Sequence, residues 1–299
     1  MPIPSILADT KKKAFLMTIL AGFLWGTSFP AIKIGLQFMD PYTFVFLRFL
    51  IASLTLAFVM LLTRNRLSFK FPQKRLLLFL GVINGVAYLL QYSGMVDASA
   101  SESSLFVNLS VVWVAILSAG VLKEHLGFKK VVGIVLSLFG VVLITTNLEI
   151  SSIGRSSVLA AFFVLAAGFL WAVFIVYNKP LVKEGHSMVI SMTWLMLFTM
   201  LPLLPILPFS AAGFASLPLS AWFALFFTGI LCWVVPFYLW LEGLKHISPL
   251  TSSVVLLTEI LVAMSISIVL LGEVLTLPSA IGGVSVIIAI LLVSLTDKV

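Results

Sequence analysis

Residues 249–271 read PLTSSVVLLTEILVAMSISIVLL, an apolar run with one charge, Glu259, near its middle. At ~1.5 Å rise per residue, a helix of this length crosses the ~30 Å hydrocarbon layer of a bilayer. Glu259 then stands about 15 Å from either end, where a charge costs ~2.5 kcal/mol or more on insertion scales. No other acid in the chain is so placed. A cost of that size implies a use: something polar is bound, or moved, at membrane depth.

The rest of the chain agrees with this stretch. Of its 299 residues, 61% are hydrophobic and 10% charged, with a mean hydropathy of +1.21. Soluble domains carry about 25% charged residues, so a water-soluble fold is excluded. Breaks at charges, Pro and Gly mark ten spans, at 14–37, 42–63, 75–96, 101–122, 129–147, 157–179, 188–209, 220–243, 249–271 and 276–296. Lipid offers no partner for an open sheet edge, so spans of this length are helices and the expected fold is all-α integral membrane. Lys11, Lys12 and Lys13 precede an apolar stretch that runs to Gln37. That exceeds the ~7–15 residues of a signal core, so it reads as a retained first span. Cys232, the single cysteine, rules out an internal disulfide or cysteine metal site. His125, His186 and His246 fall in expected loops without metal-ligand spacing, and no metal or cofactor is expected.

The net charge of +7 is not a nucleic-acid signal, because the bases sort by loop. Fifteen Lys and Arg occupy the two tails and the even-numbered loops. The odd loops hold Asp40, Asp97, Glu102, Glu149 and Glu273, with Arg155 as their one base. The positive-inside rule therefore puts both termini in the cytoplasm.

AGFLW occurs at 21–25 and again at 167–171, an offset of 146. Lys33 matches Lys179 at the same offset; Glu124 matches Glu273, and Gly133 matches Gly282, at 149. The chain reads as two copies of a five-helix unit, about 1–147 and 157–296, dividing it into 1–147 and 148–299. Five is odd, so the second copy enters from the opposite side. Inverted repeats of this kind build secondary transporters around a central site.

GFLWGTSFPAIKIGL at 22–36, Pro41 and LRFLIASL at 47–54 resemble the opening of an EamA-type unit of the drug/metabolite transporter superfamily. LKEHLGFKKVVGIVLSLFGVVLI at 122–144 and LLGEVLTLPSAIGGVSVIIAILLV at 270–293 resemble its glycine-and-acid pattern between the fourth and fifth helices. The resemblance covers nearly the whole chain. It implies a ten-helix carrier of amino acids, related metabolites or drugs, acting in export. Trp25, Gly26, Lys33 and Arg48 match the first unit's pattern. Glu259 falls where many members have an acid followed by proline; here Ile260 replaces the proline, which removes the usual reason for a kink. Trp194 stands at the second unit's counterpart of Arg48, so the basic site is not duplicated.

The candidate site residues follow from charge and from helical faces. Lys33 and Arg48 lie in the outer third of their spans. They either snorkel to the interface or line a vestibule that attracts a carboxylate. Lys179, at an inner boundary, reads as snorkelling. Glu259 either pairs with a base on another helix, or holds a substrate ammonium or a coupling proton. Asn84, Tyr88, Gln91 and Tyr92 share one face of the third span, as do Trp233, Phe237, Trp240 and Leu241 on the eighth. Each stripe either packs between helices or lines half of a pocket. Asn108 shares a face with Ser101 and Ser104, Ser252 with Glu259, and Trp25 with Phe29 and Lys33; Gly22 and Gly26 permit close packing. Gly133, Gly140, Gly282 and Gly283 are assigned to helix contacts alone.

No P-loop or GxSxG is present. The expectation is therefore a non-enzymatic secondary transporter in the plasma (inner) membrane, with a small-molecule substrate, an amino acid by preference. Protons are the candidate coupling ion, through Glu259. The alternatives are an exporter of cationic or aromatic drugs, a membrane-embedded enzyme acting on a lipid, and a non-transporting assembly subunit.

Overall fold

The computed structural model describes residues 4–63, 73–95, 97, 105–149, 157–183, 187–206, 217–271 and 274–296. Ser101, Ser104, His186 and Glu273 lie outside the described residues, as do the side chains of Phe29 and Lys33.

The fold is all-α and membrane-spanning, and the helices follow the expected spans closely. The second runs over Pro41–Leu62, the third over Lys74–Met95, the fifth over Phe128–Thr146, the sixth over Val158–Lys183 and the tenth over Leu277–Thr296. The fourth is shorter, at Leu105–Val121. Helix starts carry the residues that local physics favours. Asp40 Oδ1 accepts the backbone N–H groups of Tyr42 and Thr43, both at 3.0 Å, and Pro41 takes the first helical position. Ser248 and Pro249 open the ninth span in the same way. Such caps contribute ~1 kcal/mol each. The fifth span ends on Asn147 in the left-handed region, at φ 50°.

Five of the described spans are not single regular helices. The first divides into Pro4–Gly26 and Ser28–Gly35. Pro30 has no N–H for the carbonyl at Gly26, so the α ladder stops there. The seventh tightens to a 3-10 turn over Leu201–Ile206, which carries Pro205. The eighth is wound as a π-helix over Phe227–Val234, just before Pro236. The ninth breaks at Leu257, between Pro249–Leu256 and Thr258–Leu271. The missing proline at 260 therefore does not keep this helix straight. Leu109 makes the equivalent turn in the fourth span: Val112 N–H bonds to Leu109 O, and Ile260 N–H to Leu257 O, each at 3.0 Å.

Exchanging each span for the one five places on reproduces the packing. The first lies on the eighth and ninth, as the sixth lies on the third and fourth. The second meets the eighth as the seventh meets the third, and the fifth packs on the tenth. This is the two-fold relation of two inverted repeats. The fifth and tenth spans meet backbone to backbone. A Cβ placed on Gly140 would fall 2.6 Å from Gly282 O, and one on Gly282 2.7 Å from Gly140 O. These glycines serve helix contact, as their spacing suggested.

Candidate functional site

The interior between the halves is lined with rings around two ionisable side chains. Arg48 points inward from the second span and is only 4% exposed. Snorkelling does not describe it. Its guanidinium carbon lies 5.5 Å from the Phe49 ring centroid and 5.8 Å from that of Tyr88, within cation–π range. The Tyr92 hydroxyl lies near it, and among the described residues its buried Nε has no hydrogen-bond partner. That unfilled donor is a place for an acceptor from a ligand.

Glu259 enters from the ninth span, in the first turn after the break at Leu257. The N-terminal end of a helix favours a negative group. The residue is partly buried, and among the described residues its carboxyl joins no ion pair or hydrogen bond. Among the described side chains, no base on another helix pairs with it. The first span presses directly on this turn. A Cβ on Gly26 would lie 2.6 Å from Glu259 O and 2.7 Å from Val262 Cβ.

Rings run from Arg48 to the eighth span and on to Trp25 of the first. Trp233 stacks on Phe237 at 4.5 Å and meets Phe49 edge-on at 5.9 Å. Phe49 meets Tyr88 edge-on at 4.8 Å, and the Trp233 indole N–H faces the Tyr88 hydroxyl. Trp240 packs between Trp25, at 6.3 Å, and Phe174, at 5.9 Å, and donates to Ser252 Oγ at 2.9 Å. The polar stripe of the third span and the aromatic stripe of the eighth thus converge. The π-helix carries Trp233 onto the same buried side as Phe237 and Trp240.

Several expected residues sit differently. Asn84 is buried, with both polar atoms engaged: Oδ1 accepts from the Trp171 indole at 3.3 Å, and Nδ2 donates to Thr199 Oγ1 at 3.1 Å. Asn108 is buried in the fourth span and Gln91 half-buried in the third. Lys179 does not snorkel. It is 5% exposed, and its ammonium donates to the carbonyls of Leu244, Lys245 and Ile247 at 2.7, 3.2 and 2.7 Å, capping the end of the eighth span. Phe49, Phe174, Trp171 and Thr199 belong to the lining or its support and were not singled out from sequence. A signal existed for Trp171, which is the repeat mate of Trp25 in AGFLW.

Comparison with known proteins gives this interior a context. The family model for the EamA-like transporter family matches residues 12–146 and again 158–295. An uncharacterized transporter of Archaeoglobus fulgidus is 30% identical over 243 residues, 78% of this chain and 81% of its own length. A protein of Streptantibioticus cattleyicolor named "Probable terminal-alkyne amino-acid exporter" is 26% identical over 286 residues, 94% of this chain and 93% of its own. A solved structure titled "Crystal structure of protein" superposes with a TM-score of 0.80 at 19% identity, covering 95% of this chain and 97% of that one. Its likeness is one of fold. With two matched repeats spanning most of its length, the chain belongs to the EamA-like transporter family.

Proposed function

We propose that the chain is a secondary transporter that exports small zwitterionic metabolites, amino acids by preference, through alternating access of its two halves. The observation that carries this reading is the pairing of site charges. Among the described residues, Arg48 has an unfilled donor, the Glu259 carboxyl has no hydrogen bond or ion pair, and the two do not pair with each other. A zwitterion supplies both missing partners: a carboxylate for Arg48 and an ammonium for Glu259. Trp25, Tyr88, Trp233, Phe237 and Trp240 bracket the apolar remainder, the usual composition of a small-ligand site. Tyr92 steadies Arg48; Gln91, Asn108 and Lys33 belong to the approaches. The Streptantibioticus cattleyicolor relative, whose name gives an amino-acid exporter, supports the substrate class and the direction.

In the same reading the units divide at 147/148, the protein resides in the plasma (inner) membrane, and both termini are cytoplasmic, as the loop charges require. The Glu259 carboxylate binds either a proton or the substrate ammonium, each displacing the other, which couples export to proton entry. The chain carries out no chemistry of its own. The test is counterflow of labelled amino acids into proteoliposomes. Saturable uptake competed by free amino acids, and more weakly by amino-acid amides, supports the reading. Uptake of a quaternary aromatic dye without amino-acid competition would favour a cationic-drug exporter, for which the stacked rings of the eighth span are the favourable observation.

A further inference from the structure

One hydrogen-bond chain lies beside the proposed site without a part in it. It begins at Thr199 on the seventh span, which is fully buried. The Thr199 hydroxyl donates to Leu195 O at 2.8 Å, so its oxygen presents a lone pair to Asn84 Nδ2 at 3.1 Å. This fixes the amide of Asn84: with Nδ2 on Thr199, Oδ1 must face the Trp171 N–H, at 3.3 Å. The chain has one direction only, because each donor has a single acceptor ahead of it. It joins the third, sixth and seventh spans. The third and seventh touch closely at this level, since a Cβ on the neighbouring Gly85 would overlap the Thr199 carbonyl and the Pro202 ring. Little room is left for water to replace a lost link.

The far end of the chain reaches the site. The Trp171 ring meets Tyr88 at 5.3 Å and 80°, and Phe49 meets Tyr88 at 4.8 Å and 76°. Tyr88 is thus wedged between two edge-on rings and held against the Arg48 guanidinium. Among the described residues the other half holds no equivalent chain. Trp233 stands where Asn84 stands in the first repeat, and Trp25, the mate of Trp171, packs on Trp240 instead. We infer that Thr199 and Asn84 are positioning residues that act through Trp171 to set the Tyr88 ring beside Arg48, and thereby set the affinity of the site. The affinity part rests on the proposed role of Arg48 and Tyr88; the positional part does not.

The experiment uses full-length protein labelled with 5-fluorotryptophan and read by fluorine NMR. The Trp171 resonance is assigned by its loss in Trp171→Phe. Thr199→Val keeps shape but removes the oxygen, so the Trp171 resonance shifts; Thr199→Ser leaves it in place. Thr199→Ala removes the same oxygen and serves if the valine variant does not fold. With L-leucine as the transported probe, Thr199→Val raises KM about tenfold at nearly constant Vmax, and Thr199→Ser restores it. A Trp171 resonance unmoved by loss of the Thr199 oxygen overturns the relay. A moved resonance with unchanged KM, in protein that carries leucine, overturns its control of affinity. Wild-type protein that moves no amino acid counts against the proposed function, while the resonance still decides the relay.

Discussion

Spans one and eight lean on each other across the pseudo-dyad, and so do their repeat mates, spans six and three. The first pair is distorted: span one is interrupted at Thr27 and span eight is wound as a π-helix over Phe227–Val234. The second pair is regular, with unbroken helices over Val158–Lys183 and Lys74–Met95. Two prolines account for much of this. Pro30 and Pro236 in the distorted pair stand where Val176 and Ala87 stand in the regular one. Each proline leaves a carbonyl four residues back without its α-helical donor. The repeats share an architecture, yet their equivalent helices are held in different conformations. The proposed alternating access asks for this, since two halves in identical conformations would leave the site equally open to both sides.

The charges divide along the same line, and the largest expected effect lies there. Glu259 has Ser110 as its mate at offset 149. Glu259→Gln keeps size and removes the titratable proton. Coupled flux should disappear, together with its pH dependence, whereas Ser110→Ala should leave both in place. An unchanged pH profile in Glu259→Gln would return this acid to a purely structural part. Arg48 has Trp194 as its mate, and Trp194 stacks on Phe198 at 5.4 Å rather than entering the site. Losing a buried, hydrogen-bonded charge costs ~2–5 kcal/mol, so Arg48→Ala should weaken carboxylate substrates by about thirtyfold or more. Carboxamide analogues should lose far less. Equal losses for acids and amides, measured by competition in counterflow, would reduce Arg48 to a packing role.

Most of the architecture was legible before any coordinates. Apolar length gives ten spans because lipid forces backbone hydrogen bonds inside each segment. The spans so drawn end within a few residues of the helices along most of the chain. The repeat, and with it the inverted pairing, showed in AGFLW and in the matches of Glu124 to Glu273 and Gly133 to Gly282. What was not legible depends on direction around a helix axis. Asn84, Tyr88, Gln91 and Tyr92 share a face by spacing, but spacing does not say that Asn84 spends both polar atoms on Trp171 and Thr199. Lys179 looked like a snorkelling residue because its carbonyl partners come from a loop 65 to 68 residues away. The break at Leu257 came without a proline at 260. Its counterpart at Leu109 shows that the repeat, rather than any one residue, holds that turn.

A smaller effect, on stability, tests how far the asymmetry of spans one and six is built into packing. Gly26 and Ala172 are mates directly after the two AGFLW strings. Ala172 is fully buried, so span six accepts a methyl where span one has none. A methyl on Gly26 would meet the Glu259 carbonyl and Val262 Cβ well inside contact distance. Gly26→Ala should therefore cost ~1–3 kcal/mol through overpacking, despite the better helix propensity of alanine. It should appear as a lower melting temperature and a displaced Glu259 turn. A melting temperature at or above wild type would mean that spans one and nine part easily at this level.

The reciprocal change has the smallest expected effect and is the sharper probe of the pair. Ala172→Gly loses helix propensity and one buried methyl, together about 1–2 kcal/mol, with no new clash. If the two repeats were interchangeable in packing, Gly26→Ala and Ala172→Gly combined would restore stability toward wild type. Gly26 presses on Glu259 and Val262 of span nine, whereas Ala172 sits on span six in the apolar cluster with Val111 and Val114 of span four. Distant changes of this kind add. The double variant should therefore melt lower than either single variant, by roughly the sum of the two shifts. Rescue in place of summation would mean that the halves trade conformations so readily that the distortion of span one belongs to the state captured here, and not to the sequence that encodes it.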